Sequence, residues 1–213
     1  MLYALAQTRR FKYRLSLDIR RYFLSIHRPT LLDLLTRRLR DRWTIELIRA
    51  LLEAGGRVYN TRLAVKVLGL DDDPLPPDAG LPIGAYLSQW SGGLYLDGLD
   101  HFAKRQLKVP AYARYQDDMV LFANDASFLT EARHAIVDWL AAERRLTLNR
   151  KRWEVSSTAD SWVWLGYRIS RGGLDASAKL RRRMATQLRQ RARKGPDALA
   201  RSLASYRGLL LFG

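Results

Sequence analysis

The stretch "VPAYARYQDDMVLFAND", residues 109–125, restricts the fold more than any other part of the chain. β-branched and aromatic residues run up to and away from a short polar tip, the pattern of strand, tight turn and strand. Two strands joined this closely pair antiparallel, and Asp117 and Asp118 fall at or beside the turn. Upstream, "YRLSLDI" alternates, with Tyr13, Leu15, Leu17 and Ile19 on one face and Arg14, Ser16 and Asp18 on the other. Asp18 therefore points away from the core side of its strand.

The remaining segments fill in around these strands. Leucines at helical spacing over 29–53, closed by Gly55 and Gly56, predict helix with a break near Asp41, where Thr44 caps a second piece. "GLDDDPLPPDAG", residues 69–80, reads as an exposed loop whose acidic triplet is a solvated turn. Residues 85–107 predict a helix with small residues (Ser88, Ser91, Gly92, Gly93) early, where something approaches closely. A helix over 127–142 has Phe128, Ala132, Ile136, Trp139 and Leu140 on its apolar side, and short strands are expected at 146–148 and 162–169. Strand, helices, hairpin, helix, strand is close to the split βαβ plan. The expected fold is α+β and ferredoxin-like, an antiparallel sheet with helices on one face and the other face open to a substrate.

Composition decides which substrates such a face would meet. With 47% hydrophobic content, 213 residues bury a real core, and Lys+Arg 37 against Asp+Glu 21 leaves a net charge of +16. A chain this basic is drawn to phosphate-rich partners. The absence of cysteine excludes disulfides, thiolate catalysis and Cys-based zinc sites. The apolar run in "MLYALAQTRR" is too short for a signal peptide and no segment has transmembrane length, so a cytoplasmic location without membrane is expected. His27, His101 and His134 lie far apart, without metal-ligand spacing, and receive no role.

On the ferredoxin-like plan Asp18, Asp117 and Asp118 converge. Carboxylates packed together repel, and a divalent cation is the simplest remedy. Oxygen ligands of this kind suit Mg²⁺, and two such ions roughly 3.5 to 4 Å apart clamp the attacking and leaving oxygens of an in-line phosphoryl displacement. A bare YxDD pattern is common by chance. Here it has company: Asp18 heads "DIRRYF", and "LPIGAYLSQ" lies between the two aspartate sites.

In these motifs the chain resembles reverse transcriptases over residues 12–169. "LSLDIRRYFLSI" looks like their motif A, "GLPIGAYLSQWSGGLYLDGLD" motif B, "YQDD" motif C and "WLGY" motif E, the primer grip. The resemblance implies a polymerase palm over 1–170 and a partial basic helical thumb over 171–213. It implies RNA-directed DNA polymerase activity on a template RNA and DNA primer with dNTPs. Asp18, Asp117, Asp118 and the backbone carbonyl of Ile19 would hold two Mg²⁺ (Mn²⁺ substituting), Asp118 in a supporting position at the catalytic site. Phe23 would be an aromatic gate against a ribose 2′-OH, with Gly84, Ser88 and Gln89 beside the nucleotide and template. Trp164, Leu165, Gly166 and Tyr167 would grip the primer. The "IGxxxSQ" form of motif B is similar to that of diversity-generating retroelement enzymes, which work with a small basic accessory protein; the distinguishing residue is Gln89.

The sequence departs from the family at two places. The lysine expected after "LxLN" as proton donor to pyrophosphate is replaced by Arg152, a poor donor, so Lys151 serves only if the register shifts by one. Seventeen residues before Asp18 are too few to build the fingers that hold the triphosphate. At the other end Lys179, Arg181, Arg182, Arg183, Arg189, Arg191, Arg193 and Lys194 crowd a predicted helix with Leu180, Met184 and Leu188 as its apolar side. Such a helix tracks nucleic-acid phosphates, with Lys179, Arg181, Arg182, Arg183, Arg189 and Arg193 as the contacts. Two functions of different class remain open: a working polymerase palm, and an inactive or truncated palm fragment that binds nucleic acid or a partner protein. A nucleotide cyclase is disfavoured, because its hairpin carries Gly-Gly-acid-acid-Phe where this chain has Tyr115-Gln116-Asp117-Asp118.

Overall fold

A computed structural model describes residues 1–57, 59, 61–70, 75–76, 78–82, 84, 86–151 and 153–210, with side chains through 207. The acidic triplet at 71–73, Ile83, Ala85 and Arg152 lie outside the described residues. The elements run α1 (Leu2–Arg10), β1 (Tyr13–Asp18), α2 (Tyr22–Ser25), α3 (Arg28–Thr36), α4 (Arg42–Arg57), α5 (Arg62–Leu68), α6 (Tyr86–Tyr95) and α7 (Asp97–His101). A π-helical turn, Phe102–Gln106, prolongs α7; then come β2 (Ala111–Tyr115), β3 (Asp118–Ala123), α8 (Ala126–Arg144), β4 (Val155–Ser157), β5 (Trp162–Trp164), β6 (Tyr167–Ser170), β7 (Gly173–Ala176), α9 (Ala178–Ala192) and α10 (Pro196–Leu210). The larger sheet has the order β2-β3-β1-β4, and a second sheet is the meander β5-β6-β7. With β3 between β2 and β1, the larger sheet has the split βαβ order, so the fold is α+β with an antiparallel sheet and helices, as a reverse transcriptase palm requires.

The chain divides into two compact units. One comprises residues 15–121 and 127–154, and the other 1–14, 122–126 and 155–213. In the first, Leu15, Leu17 and Ile19 are buried on one side of β1, as the alternation predicts. Every residue from Met119 to Ala123 of β3 is buried. Neighbouring strand residues point to opposite faces, so β3 is covered on both from Met119 onward, and within this strand the open face expected from sequence is kept only at Asp118. In α8, Ala132, Ile136 and Leu140 are buried as expected, but the stripe begins at Leu129, and Phe128 and Trp139 are only half-buried.

Local expectations shift in several places. The helical stretch does break, but Asp41 is the capping residue: its carboxylate accepts from the Thr44 backbone N–H at 2.7 Å and hydroxyl at 2.5 Å. Gly55 and Gly56 do not stop α4; they lie inside it, and Gly55 is small because a Cβ there would meet the Pro82 ring at 2.5 Å. Residues 146–148 form no strand beyond a single bridge, Ile19 to Leu148, although Leu146 and Leu148 are buried. The expected strand over 162–169 is a hairpin, with Trp164 paired to Tyr167 and Leu165 and Gly166 both at positive φ (49° and 87°). Two left-handed residues make the tight turn that matches strand twist, and Gly166 supplies one of them without strain.

The second unit is built around Trp162. Its ring meets Phe122 edge-on at 6.0 Å, the Arg14 guanidinium lies 4.8 Å over it, and its Nε1 donates to Thr8 Oγ1 at 3.3 Å. In α9, Ser177 caps the N-terminus by accepting from Leu180 N–H at 3.2 Å, Met184 is buried and Leu180 and Leu188 are half-buried. That is the narrow apolar seam expected of the basic helix, which pairs with α10.

Candidate active site

Asp18 is the last residue of β1, and the chain on its far side fixes it twice. Asn149 donates its backbone N–H to the Asp18 carbonyl at 2.7 Å and its side-chain amide to Asp18 Oδ2 at 2.9 Å. The other amide end of Asn149 accepts from the Lys151 N–H at 3.2 Å. One side chain thus sets both the orientation of Asp18 and the path of the chain toward the exposed Lys151. No strand pattern assigns this role to Asn149; its one local signal is a polar residue closing the apolar run at 146–148. Ile19 is buried in the bridge to Leu148.

The opposing aspartates are placed by the turn between β2 and β3. Gln116 takes φ 54°, a left-handed conformation uncommon for a residue with a side chain. An arginine fork holds this turn. Arg114 donates through Nε to Asp100 Oδ1 at 2.7 Å, through Nη2 to Asp100 Oδ2 at 2.5 Å, and through Nη1 to the Gln116 carbonyl at 2.9 Å. Tyr112 Oη adds a bond to Asp100 Oδ1 at 2.8 Å. The bidentate pair anchors the hairpin to α7, and nothing in the local sequence announces it, since Asp100 and Arg114 belong to different elements.

Asp117 lies in the turn and Asp118 opens β3, both half-buried. Burial raises the Asp117 carboxyl above its ordinary pKa, and the charges of Asp118 and Asp18 raise it further, against a backbone hydrogen bond that lowers it. The three carboxylates therefore act on one another. Among the described residues no three acidic or histidine side chains form a ready-made metal cage. Magnesium does not require one, being typically held by one or two carboxylates with substrate phosphates and water completing the shell. The donor set fits it: hard oxygens whose mutual repulsion a divalent cation would relieve.

Phe23 is half-buried beside the buried Tyr22, ring centres 5.2 Å apart, and Tyr22 Oη donates to the Gly92 carbonyl at 2.5 Å. Burial drives the Tyr22 hydroxyl pKa strongly upward. On α6, Ser88 is buried and Gln89 is exposed, with the Gln89 carbonyl accepting from Gln116 Nε2 at 3.4 Å. Gly84 sits at φ 89° with nothing within 4 Å of a built Cβ, so its glycine answers to backbone conformation in the free protein. Asp18, Phe23, Ser88, Gln89, Asp117, Asp118 and Lys151 all belong to one compact unit.

The remaining predicted residues belong to the other unit. Trp164 and Tyr167 are buried and flank the Leu165-Gly166 turn, and the Trp164 indole N–H has no partner among the described residues. Lys179, Arg181, Arg182, Arg183, Arg189 and Arg193 are all exposed, but Arg181 is engaged by Asp175, which also pairs with Arg168 at 3.1 Å. His27 caps α3 by accepting from Thr30 N–H at 3.4 Å. No helix among the described residues is long and apolar enough to cross a membrane.

A comparison with curated proteins returns no match. The sequence profile of the family described as Reverse transcriptase (RNA-dependent DNA polymerase) matches residues 2–169, which takes in Asp18, the Gln116 turn and the Leu165-Gly166 hairpin. With the split βαβ sheet, that match means the chain belongs to the reverse transcriptase family.

Proposed function

We propose that residues 1–170 are the palm, and 171–213 a partial thumb, of a nucleotidyltransferase that copies a template RNA into cDNA from a DNA primer. The observation that carries this reading is the reverse transcriptase match over residues 2–169, which takes in Asp18 at the end of β1 and Asp117 and Asp118 at the turn into β3. Asp18, Asp117 and Asp118, with the Ile19 carbonyl, would hold two Mg²⁺, which Mn²⁺ can replace, and the ions would activate the primer hydroxyl and steady the leaving pyrophosphate. Asp118 supports the pair, and Asn149 keeps Asp18 turned toward the cation. Phe23 gates the sugar. The exposed Gln89 is the motif B group free to meet template or nucleotide, with Gly84 and Ser88 shaping the backbone beside it. Lys151 serves as proton donor only if the register shifts by one; Trp164 to Tyr167 form the primer grip, and the exposed cations of α9 are phosphate contacts.

The retroelement assignment rests on Ile83-Gly84 and Ser88-Gln89, and carries with it a small basic accessory protein and a cytoplasmic setting. A second reading, an inactive palm fragment that binds nucleic acid or a partner, is favoured by one observation: the exposed cations of α9 can hold phosphates without any catalytic metal. Primer extension on an RNA template with dNTPs and Mg²⁺ or Mn²⁺ separates the two. Extension by the parent, lost in Asp18→Ala and Asp117→Ala, is the expected result. No extension, with salt-sensitive nucleic-acid binding retained, would establish the second reading instead.

A further inference from the structure

Gly92 stands on α6 where a side chain would collide. A Cβ built there comes 3.0 Å from Phe23 Cε1, 3.2 Å from Tyr22 Cε1 and 3.3 Å from Gln116 Oε1, all inside comfortable carbon contact. Two of these neighbours are fixed. Tyr22 is buried and its hydroxyl is bonded to Gly92's own carbonyl. Gln116 belongs to the turn that Arg114 holds, with its amide Nε2 bonded to the Gln89 carbonyl and its Oε1 buried and without a partner among the described residues. Phe23 is half-exposed, the one ring with room to move. Crowding is not general to this helix: next door, Gly93 has nothing within 4 Å of a built Cβ.

We infer that Gly92 is a specificity-determining residue: lacking a side chain, it sets the depth at which Phe23 sits, and through that ring the choice between deoxyribose and ribose nucleotides. The inference rests on the polymerase reading above. A methyl group at 92 lifts the Phe23 ring off α6 and takes volume from the sugar it faces. Packed interiors do not absorb such additions smoothly, because neighbours held by hydrogen bonds transmit the displacement to whichever side chain is free.

The test compares primer extension with dNTPs and with rNTPs by the full chain, by Gly92→Ala, by Phe23→Ala and by the double variant. The expected result is a KM for dNTPs raised about tenfold in Gly92→Ala with kcat changed much less. The ratio of dNTP to rNTP kcat/KM moves with it. In the Phe23→Ala background the same substitution leaves the ratio where it was. Gly93→Ala, the control, leaves the ratio at the parent value. A ratio unmoved by Gly92→Ala, or moved equally without Phe23, overturns the inference.

Thermal melting provides a reading independent of activity. Alanine normally stabilises a helix interior relative to glycine, so a fall in Tm for Gly92→Ala reports the collision, and Phe23→Leu in the same chain should restore it. Melting without such coupling overturns the seat itself. A parent that extends with neither sugar overturns the polymerase reading, and the melting cycle distinguishes that outcome from a missing Gly92–Phe23 contact.

Discussion

At Asp117 the demands of folding and of chemistry oppose each other. Its carboxyl pKa is raised by burial and by Asp118 and Asp18, so the folded state favours the protonated form. The sign follows from linkage: below the unfolded pKa both states are protonated and nothing is lost, whereas above the folded pKa the native state carries an unfavourable charge. Asp117→Asn should therefore raise Tm at pH 7 and have little effect near pH 3, as melting curves across that range would report. The same curves with added Mg²⁺ should show the parent gaining and Asp117→Asn gaining less, since the variant has lost one of the three carboxylates whose repulsion the ion relieves. Lys108 offers a simpler case, being exposed at φ 54°. Lys108→Gly removes left-handed strain of about 1–2 kcal/mol and adds about 0.5–1 kcal/mol of unfolded-state entropy. A Tm increase of about 1–2 °C is expected. Asp18 and Asp117 were legible in sequence because a carboxylate at a strand end is conspicuous. Asn149 was not, since an amide acquires meaning only from the group it faces, here 131 residues away along the chain.

At the level of elements, the hairpin that carries Asp117 depends on α7. Arg114 has a side chain only 10% exposed and Asp100 one 34% exposed, so their pair is largely sheltered from water. Removing one partner strands the other, at a cost of about 3 kcal/mol. Arg114→Ala should lower Tm accordingly, and Arg114→Lys should recover little of the loss, because an ammonium cannot bridge both Asp100 oxygens and the Gln116 carbonyl. Urea titration of the three proteins would measure both effects. The hairpin itself was legible from alternating residues around a polar tip. The clamp was not, and neither was the Leu165-Gly166 turn, where eight residues of strand-forming composition concealed a reversal made by two positive φ angles.

Across the whole molecule, the charge of +16 acts as a field that no single residue explains. Binding to single-stranded nucleic acid should weaken steeply with salt, with log K falling by about 0.7 per phosphate contact for each unit of log salt. Changing Arg182, Arg183 and Arg189 together to Gln should lower that slope by about 2, measured by fluorescence anisotropy from 50 to 300 mM salt. Arg181→Gln should change the slope less and Tm more, because that guanidinium already holds Asp175.

The sequence by itself determined the elements and the chemistry that each could carry. Periodicity is local, so β1, the β2-β3 hairpin, α8 and the basic α9 follow from which residues recur every second or every third to fourth position. Residue type is local too, and three carboxylates near strand ends already raised the expectation of a cation. Tertiary structure decided everything that depends on distance between segments: the sheet order that puts β3 beside β1, the burial of β3 on both faces, the Asn149 bond to Asp18, and the space at Gly92 that Phe23 occupies. These are pairwise facts about residues far apart in the chain, and no pattern along one segment encodes its partner in another.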